Sequence, residues 1–190
     1  MSISRGNLVP AGIALVSAVV GFFLYQWFET EEGAKEPAVR ATHSQPAVSV
    51  IEEPLPHVAL PDPSGEPRTL SEWRGRPMLI NFWATWCSPC RKEVPELIEL
   101  QREFGDEGLV VVGIALDEPE RVRRFMQDFG IDYPVLVESG HGTRMSAAFG
   151  NRFGVLPYTV YVDSSGVIRE VHKGALTREQ GRESIRRLFE

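Results

Sequence analysis

The only two cysteines of the 190-residue chain stand three positions apart, in Trp86-Cys87-Ser88-Pro89-Cys90. A Cys-x-x-Cys pair that follows a short apolar run and opens a helical pattern suits thiol–disulfide exchange. Position then gives each sulfur its own job. Cys87 falls at the expected helix N-terminus, where unpaired N–H groups and the helix dipole favour a thiolate. Such placement lowers a thiol pKa from ~8.5 to between roughly 3.5 and 7.5. Cys90, one turn further in and shielded, can close a ring onto Cys87 and so reads as the resolving thiol. Pro89 belongs in the first turn, where its missing N–H costs nothing. Pro95 lies inside the helix, where it removes a hydrogen bond and bends the axis, lifting the first turn toward solvent.

Other uses of the pair fit less well. A structural disulfide of this spacing closes a short ring and adds little fold stability. Zinc needs a second pair of ligands, and His43, His57, His141 and His172 are scattered. Haem attachment needs a His after Cys90, where Arg91 stands, and a peroxidatic cysteine needs a Thr where Ala84 stands. The reading is therefore redox exchange, with no metal.

The elements that must position the pair follow from periodicity. Residues 78–83 (MLINFW) and 109–116 (LVVVGIAL) are continuous apolar runs, expected for strands covered on both faces. Between them Val94, Leu97, Ile98, Leu100 and Phe104 recur at helical spacing, ending before Gly105 and Gly108. Glu118 to Phe129 reads as a second amphipathic helix, 134–137 as a short strand and 143–149 as a short helix. YTVYV (158–162) and VIREVH (167–172) make an antiparallel hairpin across Asp-Ser-Ser-Gly. A last helix opens on the capping box TREQ at Thr177, with Ile185, Leu188 and Phe189 as its apolar face. The order gives an α/β fold, a mixed sheet flanked by helices, with right-handed parallel crossovers.

That domain needs only residues 54–190. Leu8 to Phe28 is 21 residues without a formal charge, and about 20 apolar residues span a bilayer as a helix. Arg5 precedes the run, while Glu29, Glu31 and Glu32 follow it, so everything after Phe28 is expected outside the cytoplasm. Trp27, Tyr25 and Phe28 suit the outer interface. A cleaved signal peptide would have a shorter apolar run and a small-x-small site rather than YQWF. Residues 1–28 thus read as a membrane anchor and 29–53 as a flexible linker, with Val48–Ile51 able to pair as a short edge strand. Without Arg5 the exported part has 19 basic and 26 acidic residues, a net −7. That balance argues against a nucleic-acid partner.

The segment NFWATWCSPCRKEVPEL resembles the active-site segment of the thioredoxin superfamily, specifically its TlpA/ResA-like membrane-anchored thiol–disulfide oxidoreductases. The similarity runs from about residue 54 to 190 and includes the inserted strand–helix stretch PVLVESGHGTRMSAAFG. It implies a thioredoxin-like fold with no cofactor beyond the redox-active Cys87–Cys90 pair. It also implies a cis Pro157 in the loop GVLPYT, facing the cysteines and leaving the Leu156 backbone free to pair with substrate. Thioredoxin's buried Asp is replaced here by Asn81. In this branch an acidic residue ending the next parallel strand assists the resolving cysteine, and Asp117 matches it. Asp117 has two readings, proton transfer to and from Cys90 or a cap for the following helix, with Glu118 as fallback. Trp86 is read as shielding the disulfide and contacting substrate, and Trp83 as core. Arg91 and Lys92 are read either as a positive field or as solvated charge. The implied activity is reduction of protein disulfides in the periplasm, with apocytochrome c as leading substrate and a transmembrane thiol carrier as donor. A disulfide-donating oxidase and a copper metallochaperone stay open on the same residues.

Overall fold

The computed structural model describes residues 49–140 and 142–190. A small hairpin comes first, β1 (Ala59–Pro61) against β2 (Pro67–Thr69), followed by one 3₁₀ turn at Leu70–Trp73. Asp62 shapes its turn by accepting the N–H groups of Ser64 and Glu66 on one carboxylate oxygen. After the turn at Arg74–Pro77 come β3 (Met78–Trp83) and β4 (Val110–Ala115), both buried at every residue. β5 (Val135–Val137), β6 (Tyr158–Val162) and β7 (Ile168–Lys173) complete a sheet of order β5-β4-β3-β6-β7. β3, β4 and β5 run parallel, while β6 is antiparallel to β3 and β7 to β6. The helices are α1 (Ser88–Phe104), α2 (Pro119–Phe129), α3 (Gly142–Ala148) and α4 (Arg178–Leu188).

Alternation along the strands divides the core into two. Leu79, Trp83, Val111, Ala115 and Tyr161 lie with the buried residues of α1, α2 and α4. Ile80, Phe82, Val112 and Val160 face the other way, where Leu60, Leu70, Trp73 and Phe149 close over them. Helices flank both faces as expected, three on one side and the short α3 on the other. Gly113 has a reason to lack a side chain. A Cβ there would meet Trp83 Nε1 at 2.7 Å, so the indole lies directly on the strand backbone, with Phe125 beside it at 4.9 Å between ring centroids.

Two boundaries differ from expectation. The stretch read as linker already contacts the domain. Val50 packs against the core, Glu52 N–H donates to Ile168 O at 2.7 Å, and Ile168 N–H donates to Glu53 O at 3.0 Å. The edge of β7 offers a row of unpaired backbone groups, and these residues cover its first residue, Ile168. Phe189, expected in the apolar face of α4, is 40% exposed and stacks on Phe104 instead. The expected anchor, and the linker up to residue 48, lie outside the described residues. Among the described residues no helix is long and apolar enough to cross a membrane.

Candidate active site

Cys87 and Cys90 are joined as a disulfide, with their Cα atoms 5.3 Å apart. Cys87 is the N-cap of α1. Its backbone is extended, and its sulfur accepts the Cys90 N–H at 3.3 Å, the bond that a Ser or Asp side chain makes at other helix starts. No acidic residue stands in the first turn to oppose negative charge on that sulfur. Cys87 is 5% exposed and Cys90 1%, so a partner reaches Cys87 first. Pro95 is exposed and lies within one unbroken helix, where it leaves the Arg91 carbonyl without its i+4 donor.

The loop between β3 and α1 is held at Thr85. Asp117 Oδ2 accepts both the Thr85 N–H, at 3.3 Å, and the Thr85 hydroxyl. Asp117 Oδ1 accepts the Glu118 N–H at 2.8 Å and pairs with Arg121 at 3.4 Å. From the other side Arg91 donates to the Thr85 carbonyl at 3.3 Å. Its guanidinium lies 5.2 Å and 5.1 Å from the ring centres of Phe125 and Phe129, which stack on each other. Arg91 is therefore more than solvated charge. The structure gives Asp117 the work of tying the active-site loop to the start of α2, and its hydrogen bonds among the described residues do not reach either cysteine. The N-cap of α2 is Glu118, which makes no side-chain cap bond.

A second carboxyl group was not singled out by sequence. Glu93 is 1% exposed and lies one turn beyond Cys90 on the buried face of α1. Its Oε1 accepts from Asn81 Nδ2 at 3.4 Å and from Thr159 Oγ1 at 3.5 Å, and Asn81 also donates to Thr159 at 3.0 Å. Burial pushes its pKa up to about 7, against the weaker pull of the Leu176 amide, Asn81 and Thr159. A signal was there to find: Glu93 falls at i+3 from Cys90, within the spacing of Cys90, Val94 and Leu97, where a charge has no solvated place.

The Leu156–Pro157 bond is cis. Pairing of Phe82 with Tyr158 sets Pro157 at the sheet end from which Ala84–Cys87 leave β3. Leu156 is half-buried against the cluster that contains both cysteines. Trp86, 67% exposed, stands at the same end, and Trp83 is wholly buried. The structure thus brings Cys87, Cys90, Trp86, Leu156 and Pro157 to one rim, with Asp117 bracing the loop and Glu93 beneath the helix.

Residues 51–171 match the AhpC/TSA family. The chain belongs to that family. The thioredoxin-like protein YneN of Bacillus subtilis is 32% identical over 179 residues, covering 90% of this chain and 92% of YneN. The thiol–disulfide oxidoreductase ResA of Geobacillus thermodenitrificans is 29% identical over 168 residues, covering 88% and 86%. A thiol:disulfide interchange protein of the thioredoxin family from Chlorobium tepidum superimposes with a TM-score of 0.63 at 27% identity, over 72% of this chain and 96% of that one. A putative DsbE from the same organism shares the fold, with a TM-score of 0.65 at 23% identity. Within the AhpC/TSA family the chain is a thiol–disulfide oxidoreductase, similar to ResA, on a thioredoxin-like fold.

Proposed function

We propose that this protein reduces disulfides in other proteins on the outer face of the bacterial inner membrane, held there by a single-pass anchor at residues 8–28. The observation that carries the chemistry is the Cys87 sulfur at the cap of α1, the less buried of the two cysteines and the acceptor of the Cys90 N–H. Periplasmic placement is supported by the uncharged run at 8–28, with Arg5 before it and acidic residues after it.

In the reduced enzyme the Cys87 thiolate attacks one sulfur of a substrate disulfide. A Cys87–substrate bond forms, the substrate S–S bond breaks, and the other substrate sulfur leaves and is protonated. Cys90 then loses its proton and attacks Cys87, releasing the second substrate thiolate and closing the disulfide seen here. Two electrons pass to the substrate, and a transmembrane thiol carrier returns two. We assign to Glu93, three residues along the same buried face of α1, the acceptance of the Cys90 proton, because a carboxyl titrating near neutrality suits both directions of transfer. Asp117 holds the loop that presents Cys87. Apocytochrome c, with cysteines that must be reduced before haem is attached, is the substrate supported by resemblance to ResA-like proteins.

The test is the reduction potential of the full chain in detergent, equilibrated against dithiothreitol. A reductase is expected well below about −200 mV, and a value near −120 mV would make the protein a disulfide donor instead. Cys90→Ser is expected to accumulate substrates as mixed disulfides on Cys87. Membranes that yield no such adducts would remove the reductase reading.

A further inference from the structure

The loop that leads into Pro157 ends in a phenyl ring held in water. Phe153 is 91% exposed, and Val155, next to Leu156 in the loop, is 40% exposed. The ring is there by construction. Asn151, 3% exposed, spends its whole amide on one residue: Nδ2 donates to Val155 O at 2.8 Å and Oδ1 accepts Val155 N–H at 2.9 Å. The Gly154 N–H closes the turn onto Asn151 O at 3.2 Å, and Gly154 takes the left-handed conformation, φ 61°, that this closure requires. The loop is tied shut behind Phe153.

Backbone groups along the same stretch are committed in an alternating way. Both groups of Val155 are taken by Asn151, and the Pro157 carbonyl accepts the Gly174 N–H at 2.9 Å. Leu156, between them, makes no backbone hydrogen bond among the described residues. One residue of open strand edge therefore lies between the disulfide and an exposed apolar tip.

We propose that the tip formed by Phe153 and Val155 is a docking surface for an extended polypeptide whose reactive cysteine has an apolar side chain within two positions, and that it gives the enzyme its substrate preference. This rests on the reductase reading above. A segment paired with Leu156 advances ~3.3 Å per residue, so a neighbour of its cysteine passes over Phe153 and Val155. A small thiol compound has no such neighbour and spans no part of the tip. The exchange is the one already written, with two electrons leaving the Cys87–Cys90 dithiol for the substrate disulfide and a dithiol donor restoring them.

The experiment uses the full chain in detergent, reduced with dithiothreitol and freed of it. Its oxidation is followed with three probes: a peptide disulfide with Leu two residues from Cys, the same peptide with Ser in place of Leu, and glutathione disulfide. The wild type is expected to prefer the Leu peptide over the Ser peptide by about tenfold, from burial of one apolar side chain. Phe153→Ser is expected to bring that ratio close to one, and Phe153→Leu to keep most of it. Val155→Ser should lower it as well. A wild type without preference, or a Phe153→Ser variant that keeps the preference or slows all three probes equally, overturns the proposal. A wild type that reduces none of the three overturns the reductase reading itself, and the docking surface with it.

Discussion

A carboxyl group in an apolar core is tolerated best when it is neutral, and Glu93 keeps its proton up to about pH 7 where an unburied Glu titrates at 4.5. Between those two values the folded protein binds a proton that the unfolded chain has already released. Stability from this group is therefore fully present below pH 4.5, falls as the pH rises, and is lost above 7. The shift corresponds to on the order of 3 kcal/mol. Glu93→Gln is expected to remove that slope, so urea denaturation should show the variant gaining on wild type from pH 5 to pH 8. The same variant should slow resolution of the mixed disulfide and flatten its pH profile near 7, measured by rapid acid quench. The sequence made Cys87 and Cys90 legible because helix position alone separates their roles. It pointed to Asp117, with Glu118 as fallback, and passed over Glu93, because carboxyl groups are told apart only by what surrounds them. Thr85 and Arg121 claim one carboxylate, while Asn81 and Thr159, distant in sequence, share a buried site with the other.

The elements were largely readable, and the reason is burial. β3, apart from Asn81, and β4 are apolar because both faces are covered, and α4 announces itself by Thr177, whose hydroxyl accepts the Gln180 N–H at 3.3 Å. What could not be read were contacts between elements. The pairing of Glu52–Leu55 with Gly166–Ile168 depends on where β7 ends up in the sheet. The brace at Thr85 depends on α2 coming to lie beside α1. That brace makes an element-level prediction. Thr85→Val keeps the side-chain shape and the backbone bond but removes the hydroxyl donor to Asp117. It is expected to cost about 1–2 kcal/mol by urea denaturation, because a buried carboxylate loses a partner. It should also lower the rate of reaction of Cys87 with an alkylating reagent at neutral pH. An unchanged midpoint and an unchanged alkylation rate would leave Asp117 as a partner of Arg121 and the Glu118 N–H alone.

For the whole molecule the expectation concerns place. A domain with a single cysteine pair would, in the proposed arrangement, be kept near a membrane electron donor rather than diffusing. In the proposed arrangement, protease added outside spheroplasts should digest residues 49–190. Deletion of residues 1–28, with an export signal put in their place, should move the protein from the membrane to the soluble periplasmic fraction. Protection of the domain from external protease would reverse the orientation proposed for it.

The sulfur that reacts is also the sulfur that ties down the first turn of α1. As a thiolate, Cys87 is a charged acceptor for the Cys90 N–H; bonded to a substrate, it becomes a neutral and poorer one. Capture of a substrate is thus expected to weaken the tether on the residue that must next approach Cys87. Amide hydrogen exchange at residue 90 of the Cys90→Ser variant is expected to quicken when Cys87 passes from free thiolate to mixed disulfide, while exchange deep in α1, at Leu97 and Leu100, stays unchanged.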